Sequence, residues 1–220
     1  MKTTCAYCGQ QDKKYSREHV ISKALYPESK ASSKIQRITV PVCECCRGNW
    51  DDDEPHFRNV MLISGQENPA VMELWKGKVN RSFKLEDGLR RYRQLYLHTE
   101  KIQRPEGERY MIYPDQDVRV LRVVHKIIRG LSHYHGIATI ASDQSIWVAI
   151  QLFNFPPALD DLALGVTDED VIKYRYKALN EDGIQSYWTL TFYERTSFLG
   201  VAFQSPDECS RFLKMEDKKC

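Results

Sequence analysis

Hydrophobic residues that recur every three or four positions mark one long amphipathic helix near the middle of the chain. The repeat begins at Val118 and ends near Gly136, and Asp115 ahead of it suits an N-cap. This spacing places the apolar side chains on one helical face, which is expected to pack into the core. The apolar positions are Val118, Leu121, Val124, Ile127, Ile128 and Leu131.

The last third of the chain alternates between aromatic or branched residues and polar ones, which predicts antiparallel strands. The predicted strands are Ser145–Phe153, Tyr174–Leu179, Ser186–Tyr193 and Phe198–Phe203. Between the second and third lies Asn180-Glu181-Asp182-Gly183, a turn sequence typical of a hairpin. Together with the long helix, these strands predict an α+β domain over residues 63–220.

Shorter patterns precede the long helix. Phe57–Ile63 reads as a helix, and Asn68-Pro69 is expected to open a second one that continues through Trp75. The apolar residues of Arg90–His98 predict a strand, and Arg109–Tyr113 predicts another.

Composition places the chain among ordinary globular proteins. Its 220 residues are 42% hydrophobic and 28% charged, which excludes a disordered, collagen-like or coiled-coil protein. A net charge of +2 does not by itself demand a nucleic-acid partner, so any basic surface must be local. No apolar run reaches the roughly 20 residues of a membrane span, and the N-terminus lacks the apolar core of a signal peptide. We therefore expect a cytoplasmic protein with no membrane contact.

Cysteines change this picture. Five of the seven lie in the first quarter, where Cys5-x2-Cys8 and Cys43-x2-Cys46 form two pairs of the kind that hold structural Zn²⁺. Cys45 is the extra thiol, either free or structural. The alternative, a set of small buried hydrophobic residues, is less suited to a segment with so little core of its own. The 34 residues between the pairs exceed a simple zinc ribbon, so the metal is expected to close a loop with further chemistry.

Inside that loop, Glu18 and His19 stand at the start of an apolar run. Neighbours in a strand point to opposite faces, so Glu18 can meet a bound ion while His19 points elsewhere. A neutral imidazole can take a proton from water, and a divalent cation can stabilise charge on a phosphate. The dipeptide alone is more typical of a surface or core histidine; its position between two cysteine pairs favours phosphodiester hydrolysis.

With these features the sequence resembles the zinc-stapled HNH endonucleases, whose ββα-metal finger carries an acidic residue and a histidine between two Cys-x2-Cys pairs. The resemblance covers residues 1–62 and includes Cys5–Cys8, Arg17–Ile21 and Val40–Trp50, followed by the acidic run 51–54 ahead of Phe57-Arg58. It implies an N-terminal nuclease domain over residues 1–62. Residues 63–220 would then recognise substrate, regulate or dimerise.

The resemblance also implies residue roles. His19 would be the general base and Glu18 a ligand of a catalytic Mg²⁺ or Mn²⁺ ion. Many family members carry Asn or His directly after the second cysteine pair as a further ligand, but this chain has Arg47. We therefore expect Asn49, Asp53 or His56 to complete the ion site, with Asn49 in the catalytic set.

The spacing of the acidic run supports two interpretations. Asp52 and His56 are four residues apart, which would place both on one helical face. Equally, the acidic residues can serve only to favour a helix N-terminus.

Two stretches offer basic charge for DNA. From Lys2 to Arg47 there are nine basic residues against four acidic ones, and Arg17 and Arg47 are candidate phosphate contacts. Residues 76–93 are also basic and are interleaved with aromatic residues, an arrangement that fits DNA and an ordinary solvated face equally well. The histidines at 125, 133 and 135 favour solvated or core positions over a second metal site.

The predicted function is a metal-dependent HNH endonuclease that hydrolyses phosphodiester bonds of DNA. The resemblance points to a restriction-like or phage-defence role, and cutting both strands would suit a homodimer. One alternative is a catalytically inactive zinc finger that binds nucleic acid. Another is an interaction protein in which zinc only holds the chain together.

Overall fold

A computed structural model describes most of the chain, namely residues 3–12, 14–64, 68–97, 99–105, 107–112, 117–140, 142–151, 161–166 and 168–216. The N-terminal part consists of two small hairpins and a helix. Its elements are β1 (Thr3–Thr4), β2 (Gln11–Asp12), β3 (Tyr15–His19), β4 (Thr39–Cys43) and α1 (Asp53–Ser64). β1 pairs with β2 and β3 with β4, both antiparallel.

The remaining elements form a helical middle part and a C-terminal sheet. The middle part contains α2 (Pro69–Leu74), α3 (Asn80–Phe83), α4 (Gly88–Leu97), β5 (Thr99–Arg104), β6 (Gly107–Ile112) and α5 (Val118–Tyr134). The C-terminal part contains β7 (Ile146–Gln151), β8 (Ala163–Leu164), β9 (Ile172–Glu181), β10 (Ile184–Phe192), β11 (Thr196–Phe203) and α6 (Pro206–Glu216).

The C-terminal strands form one antiparallel sheet in the order β7–β11–β10–β9–β8. The predicted hairpin joins β9 to β10, with Tyr176 opposite Trp188. Trp188 is fully buried and stacks on Tyr176 at 5.3 Å between ring centroids. The predicted α+β class, with an antiparallel sheet and a long amphipathic helix, is confirmed.

Helix α5 lies between the sheet and the cysteine-rich part. On one side, a side chain at Gly200 of β11 would collide with Ile128, since an added Cβ would lie 2.4 Å from Ile128 Cδ1. Elsewhere on the helix, a Cβ at Gly130 would lie 2.8 Å from both Val20 methyl groups. Both glycines therefore permit close approach to α5. The N-cap is Asp117, whose carboxylate accepts the Arg119 N–H at 2.9 Å; Asp115 lies outside the described residues.

One hydrophobic core connects the two predicted domains, residues 1–62 and 63–220. Phe57 of α1 meets Phe192 of β10 edge to face, with ring centroids 5.0 Å apart. The buried Tyr193 hydroxyl donates to the Leu25 carbonyl at 2.8 Å. The cysteine-rich part therefore shares its core with the sheet.

The predicted strand Arg90–His98 is wrong, because residues 88–97 form helix α4. Leu89, Tyr92 and Tyr96 repeat at three and four residues, a helical spacing, and only Leu95 of the helix's large apolar residues is buried. The predicted strand Arg109–Tyr113 corresponds to β6, and the opening of α2 at Asn68-Pro69 is confirmed.

Candidate functional site

The four paired cysteines converge where the two N-terminal hairpins meet. The sulfur atoms of Cys5, Cys8, Cys43 and Cys46 all lie within 4.8 Å of one another. Cys8 Sγ and Cys43 Sγ are 3.6 Å apart. Sulfurs bound to Zn²⁺ at about 2.3 Å in a tetrahedron are roughly 3.8 Å from each other, so this donor set fits zinc. Among the described residues, no other group of His, Cys, Asp or Glu side chains is arranged to hold a metal.

Backbone hydrogen bonds shape both cysteine pairs. The Gly9 N–H donates to the Cys5 carbonyl at 3.0 Å, and the Arg47 N–H donates to the Cys43 carbonyl at 3.1 Å. The Ala6 N–H reaches the Pro41 carbonyl at 2.9 Å, which joins the first turn to β4. Cys45 is exposed and lies outside the cluster. Spacing alone therefore identified the four grouped cysteines correctly.

The thiols differ in how readily they ionise. Burial opposes ionisation of Cys5, but backbone N–H groups, led by that of Cys43, outweigh it and lower its pKa to about 7. Burial raises the pKa of Cys8 and of Cys46. A Zn²⁺ ion favours the thiolate form of its ligands. Zinc held here would fasten the β1–β2 turn to the end of β4 and so fix the β3–β4 hairpin.

Arg17 and His19 lie two residues apart on β3 and therefore share one face of the strand. Thr39 of β4 is the direct cross-strand partner of His19. The Arg17 guanidinium donates through Nε to Thr39 Oγ1 at 2.9 Å and through Nη2 to the Thr39 carbonyl at 3.1 Å. These two bonds hold an exposed guanidinium beside the position of His19.

The His19 ring is fixed by the chain that leads into β4. Its Nδ1 lies 2.6 Å from the Gln36 carbonyl oxygen. Because a carbonyl only accepts, Nδ1 carries the proton and Nε2 keeps its lone pair. Within the described residues, no hydrogen-bond partner lies against Nε2. A half-buried imidazole in this tautomer is arranged to accept a proton.

Glu18 points away from that face and into a salt bridge. Its carboxylate lies 2.9 Å from the ammonium of Lys126 on α5. The same ammonium contacts the carboxylate of Glu54, in the first turn of α1. Lys126 is only 1% exposed, whereas Glu18 and Glu54 are 21% and 14% exposed. One buried cation thus bridges two carboxylates from different elements.

Aromatic rings surround the bridge. The Lys126 ammonium lies 5.3 Å from the centre of the Trp50 ring, and Tyr7 packs on Trp50 at 4.7 Å between centroids. Burial, together with the negative charges of Glu18 and Glu54, raises the pKa of Tyr7. Such a setting strengthens ion pairs and makes an unpaired charge costly.

The other candidate ligands of a catalytic ion are committed elsewhere. Asn49 is exposed, and Asp53 is buried between two arginines, with Arg119 Nε at 2.9 Å and Arg122 Nη1 at 2.8 Å. His56 is buried, with Nε2 2.5 Å from Asp117 Oδ2.

Helix α1 begins at Asp53, so Asp52 precedes the helix and the predicted one-face pairing of Asp52 with His56 does not form. The structure therefore does not bring Asn49, Asp53 and His56 together with Glu18. Because Glu18 already has a cation, these residues do not fit a catalytic Mg²⁺ or Mn²⁺ ion.

The predicted basic surfaces are only partly exposed. Arg47 is exposed, as are Arg90 and Arg93 on α4. Tyr92 is 58% exposed on the same helix, but Trp75 and Phe83 pack against the core. Helix α4 thus presents arginines and an accessible aromatic ring together.

A polar cavity of about 390 Å³ lies between the N-terminal ends of α1, α4 and α5. Four aspartates line it alongside three arginines, Arg90, Arg91 and Arg119. This mixture of charges selects neither an anion nor a cation.

The histidines on α5 serve packing. Burial lowers the pKa of His125, His133 and His135. His135 stacks on Tyr176 at 4.1 Å between centroids and lies 3.0 Å from the Tyr174 hydroxyl. They form no metal site within the described part of the chain, in line with the predicted core or solvated role.

Comparisons with protein-family models, curated proteins and solved structures find no match to this chain. Among the described residues, no helix is both long and apolar enough to cross a bilayer.

Sequence reasoning missed Lys126, Glu54 and Thr39. A signal for Lys126 was present, because it lies among Val123, Val124 and Ile127 on the apolar side of α5. Lysine is almost never fully buried unless paired, so a lysine in that stripe predicts a buried acidic partner. Thr39 had no comparable signal, since its role depends on the β3–β4 register.

Proposed function

We propose that the chain is a nuclease that hydrolyses phosphodiester bonds of DNA, with His19 as general base and Arg17 as phosphate ligand. The observation that carries this proposal is the position of the Arg17 guanidinium, bonded to the cross-strand partner of His19. A base and a phosphate-binding fork therefore lie side by side on one strand face. The β3–β4–α1 order of the zinc-fastened segment supports the same proposal.

The chemistry follows from the two side chains. His19 Nε2 takes a proton from a water molecule, whose oxygen then forms a bond to phosphorus. The bond from phosphorus to one ester oxygen breaks, and solvent protonates that oxygen and recovers the proton from His19. The Gln36 carbonyl, which accepts the Nδ1 proton, stabilises the imidazolium formed in between. Arg17 uses two N–H donors on Thr39, and its remaining donors can bind phosphate oxygens.

A second candidate is a zinc-fastened module that binds DNA without cutting it. The Lys126 salt bridge favours it, because Glu18 is not available as an ion ligand. A restriction-like role and a homodimer stay predictions from the sequence.

Supercoiled-plasmid nicking by wild type, His19→Ala and His133→Ala tests the proposal, with zinc content measured in all three. His133 is a matched control, since it lies partly exposed on α5 away from β3 and contacts Thr139. We expect His19→Ala to lose about 10² to 10⁴ in rate, the usual contribution of a general base, and His133→Ala to cut normally. DNA retention without nicking by zinc-loaded wild type would support the binding module. Equal nicking by wild type and His19→Ala would remove His19 from the mechanism.

A further inference from the structure

We propose that the Lys126 ammonium occupies the cation position between Glu18 and Glu54, so that this chain binds no Mg²⁺ or Mn²⁺ ion there. The two carboxylates come from β3 and from the first turn of α1, the strand and helix expected to share a divalent ion. The ammonium contacts both, with Glu18 Oε1 at 2.9 Å. A cation from α5 thus completes the pair within the protein itself.

The position of the ammonium opposes exchange with a metal. Lys126 is 1% exposed and lies against the Trp50 ring, so the side chain would have to leave the core to make room. A divalent ion that entered beside the ammonium would meet repulsion between like charges in a region shielded from water. A lost contact with two carboxylates would leave the ammonium without compensation.

The rest of the site contains no substitute for Glu18. Asp53 is held by Arg119 and Arg122, and His56 is held by Asp117. The described residues contain no metal-binding group of these side-chain types besides the four cysteines. The salt bridge therefore removes the one strand carboxylate that a catalytic ion would need.

Mn²⁺ titration of zinc-loaded protein, followed by the electron paramagnetic resonance signal of free Mn²⁺, tests the proposal. We expect the wild-type and Glu18→Gln titrations to coincide. Lys126→Met keeps the side chain up to its last carbon and removes the ammonium, so it should gain one Mn²⁺ site. Adding Glu18→Gln to Lys126→Met should weaken that site about tenfold or more, a change of about 1.4 kcal/mol.

Two outcomes would overturn the proposal. One is a wild-type Mn²⁺ site that Glu18→Gln weakens, and this comparison decides the matter even if Lys126→Met does not fold. The other is a folded, zinc-loaded Lys126→Met protein that gains no site. Circular dichroism and zinc content establish that each variant is folded.

The consequence for cleavage rests on the proposed function. Nicking by zinc-loaded wild type should persist in buffer freed of divalent ions on a chelating resin. Nicking that needs added Mg²⁺ and disappears in Glu18→Gln would contradict the proposal. Absence of nicking under all conditions would refute the proposed function alone, because the Mn²⁺ titrations would still decide the role of Lys126.

Discussion

Replacing Lys126 with methionine should destabilise the protein far more than removing an ordinary surface cation. The ammonium lies between Glu18 and Glu54 and is almost completely shielded from solvent. Methionine retains most of the apolar packing against Trp50 but leaves two carboxylates facing each other without a cation. The perturbation is therefore almost purely electrostatic.

The burial of the three groups sets the expected size of this effect. Removing one partner of a fully buried ion pair costs about 3–5 kcal/mol, whereas an exposed pair contributes about 0–1 kcal/mol. The carboxylates of Glu18 and Glu54 retain 21% and 14% of their exposure, so water partly compensates them. We expect a loss of about 3 kcal/mol, near the lower end of the buried range.

Urea unfolding of zinc-loaded protein measures this loss, and at a slope of about 3 kcal/mol/M the midpoint should fall by about 1 M. The control is Arg211→Met, which breaks an exposed pair with Glu208 and should cost about 0.5 kcal/mol or less. Adding Glu18→Gln and Glu54→Gln to Lys126→Met removes the opposed charges and should recover much of the loss. A Lys126→Met effect as small as that of Arg211→Met, or no recovery in the triple variant, would refute the electrostatic reasoning.

Three further predictions concern other parts of the molecule. Cys8→Ser should lose bound zinc and lower the unfolding midpoint, whereas Cys45→Ser should retain zinc in metal analysis. Lys30→Met should cost about 1–2 kcal/mol at pH 7, because Lys30 bridges Asp168 and Asp170 at a partly buried site. Burial opposes ionisation of Asp168, but Lys30 outweighs it and lowers the pKa of Asp168. This stabilisation is therefore present above the ordinary pKa near 3.8 and is lost as pH falls through the lowered value, so unfolding at pH 3 should show a smaller difference. Reversing the charge of the three α4 arginines should weaken DNA binding and flatten its salt dependence by up to about 0.9 per lost phosphate contact; an unchanged slope would exclude α4 from the interface.

Periodic patterns predicted the secondary structure where a single periodicity dominated. The spacing from Val118 to Leu131 indicated α5, and alternation around Trp188 indicated β10. Residues 88–97 carry both spacings, and the helix formed because Leu95 alone is buried while polar and aromatic neighbours face solvent. The shared core was not predictable, because contacts such as Tyr193 to Leu25 join residues far apart in sequence.

The four zinc-type cysteines were predictable because their spacing reflects a local turn. The partners of Glu18 and His19 were not, because each depends on tertiary structure. His19 is fixed by Gln36 in the connection before β4, and Glu18 is fixed by Lys126, 108 residues later in the chain. A dipeptide indicates which side chains are adjacent but gives no information on which elements will cover its two faces.

The opposite orientations of these two neighbours connect structure with chemistry. Because β3 directs Glu18 toward α5 and His19 toward the Gln36 side, one strand contributes both to the core and to a surface site. The zinc cluster fixes the hairpin at the end near Tyr15 and Cys43, and the Lys126 bridge fixes it near Glu18. Arg17 and His19 on the other face are thereby held without an ion of their own. A rigid strand can orient a base and a guanidinium toward phosphate, so positioning here depends on zinc and on a buried lysine.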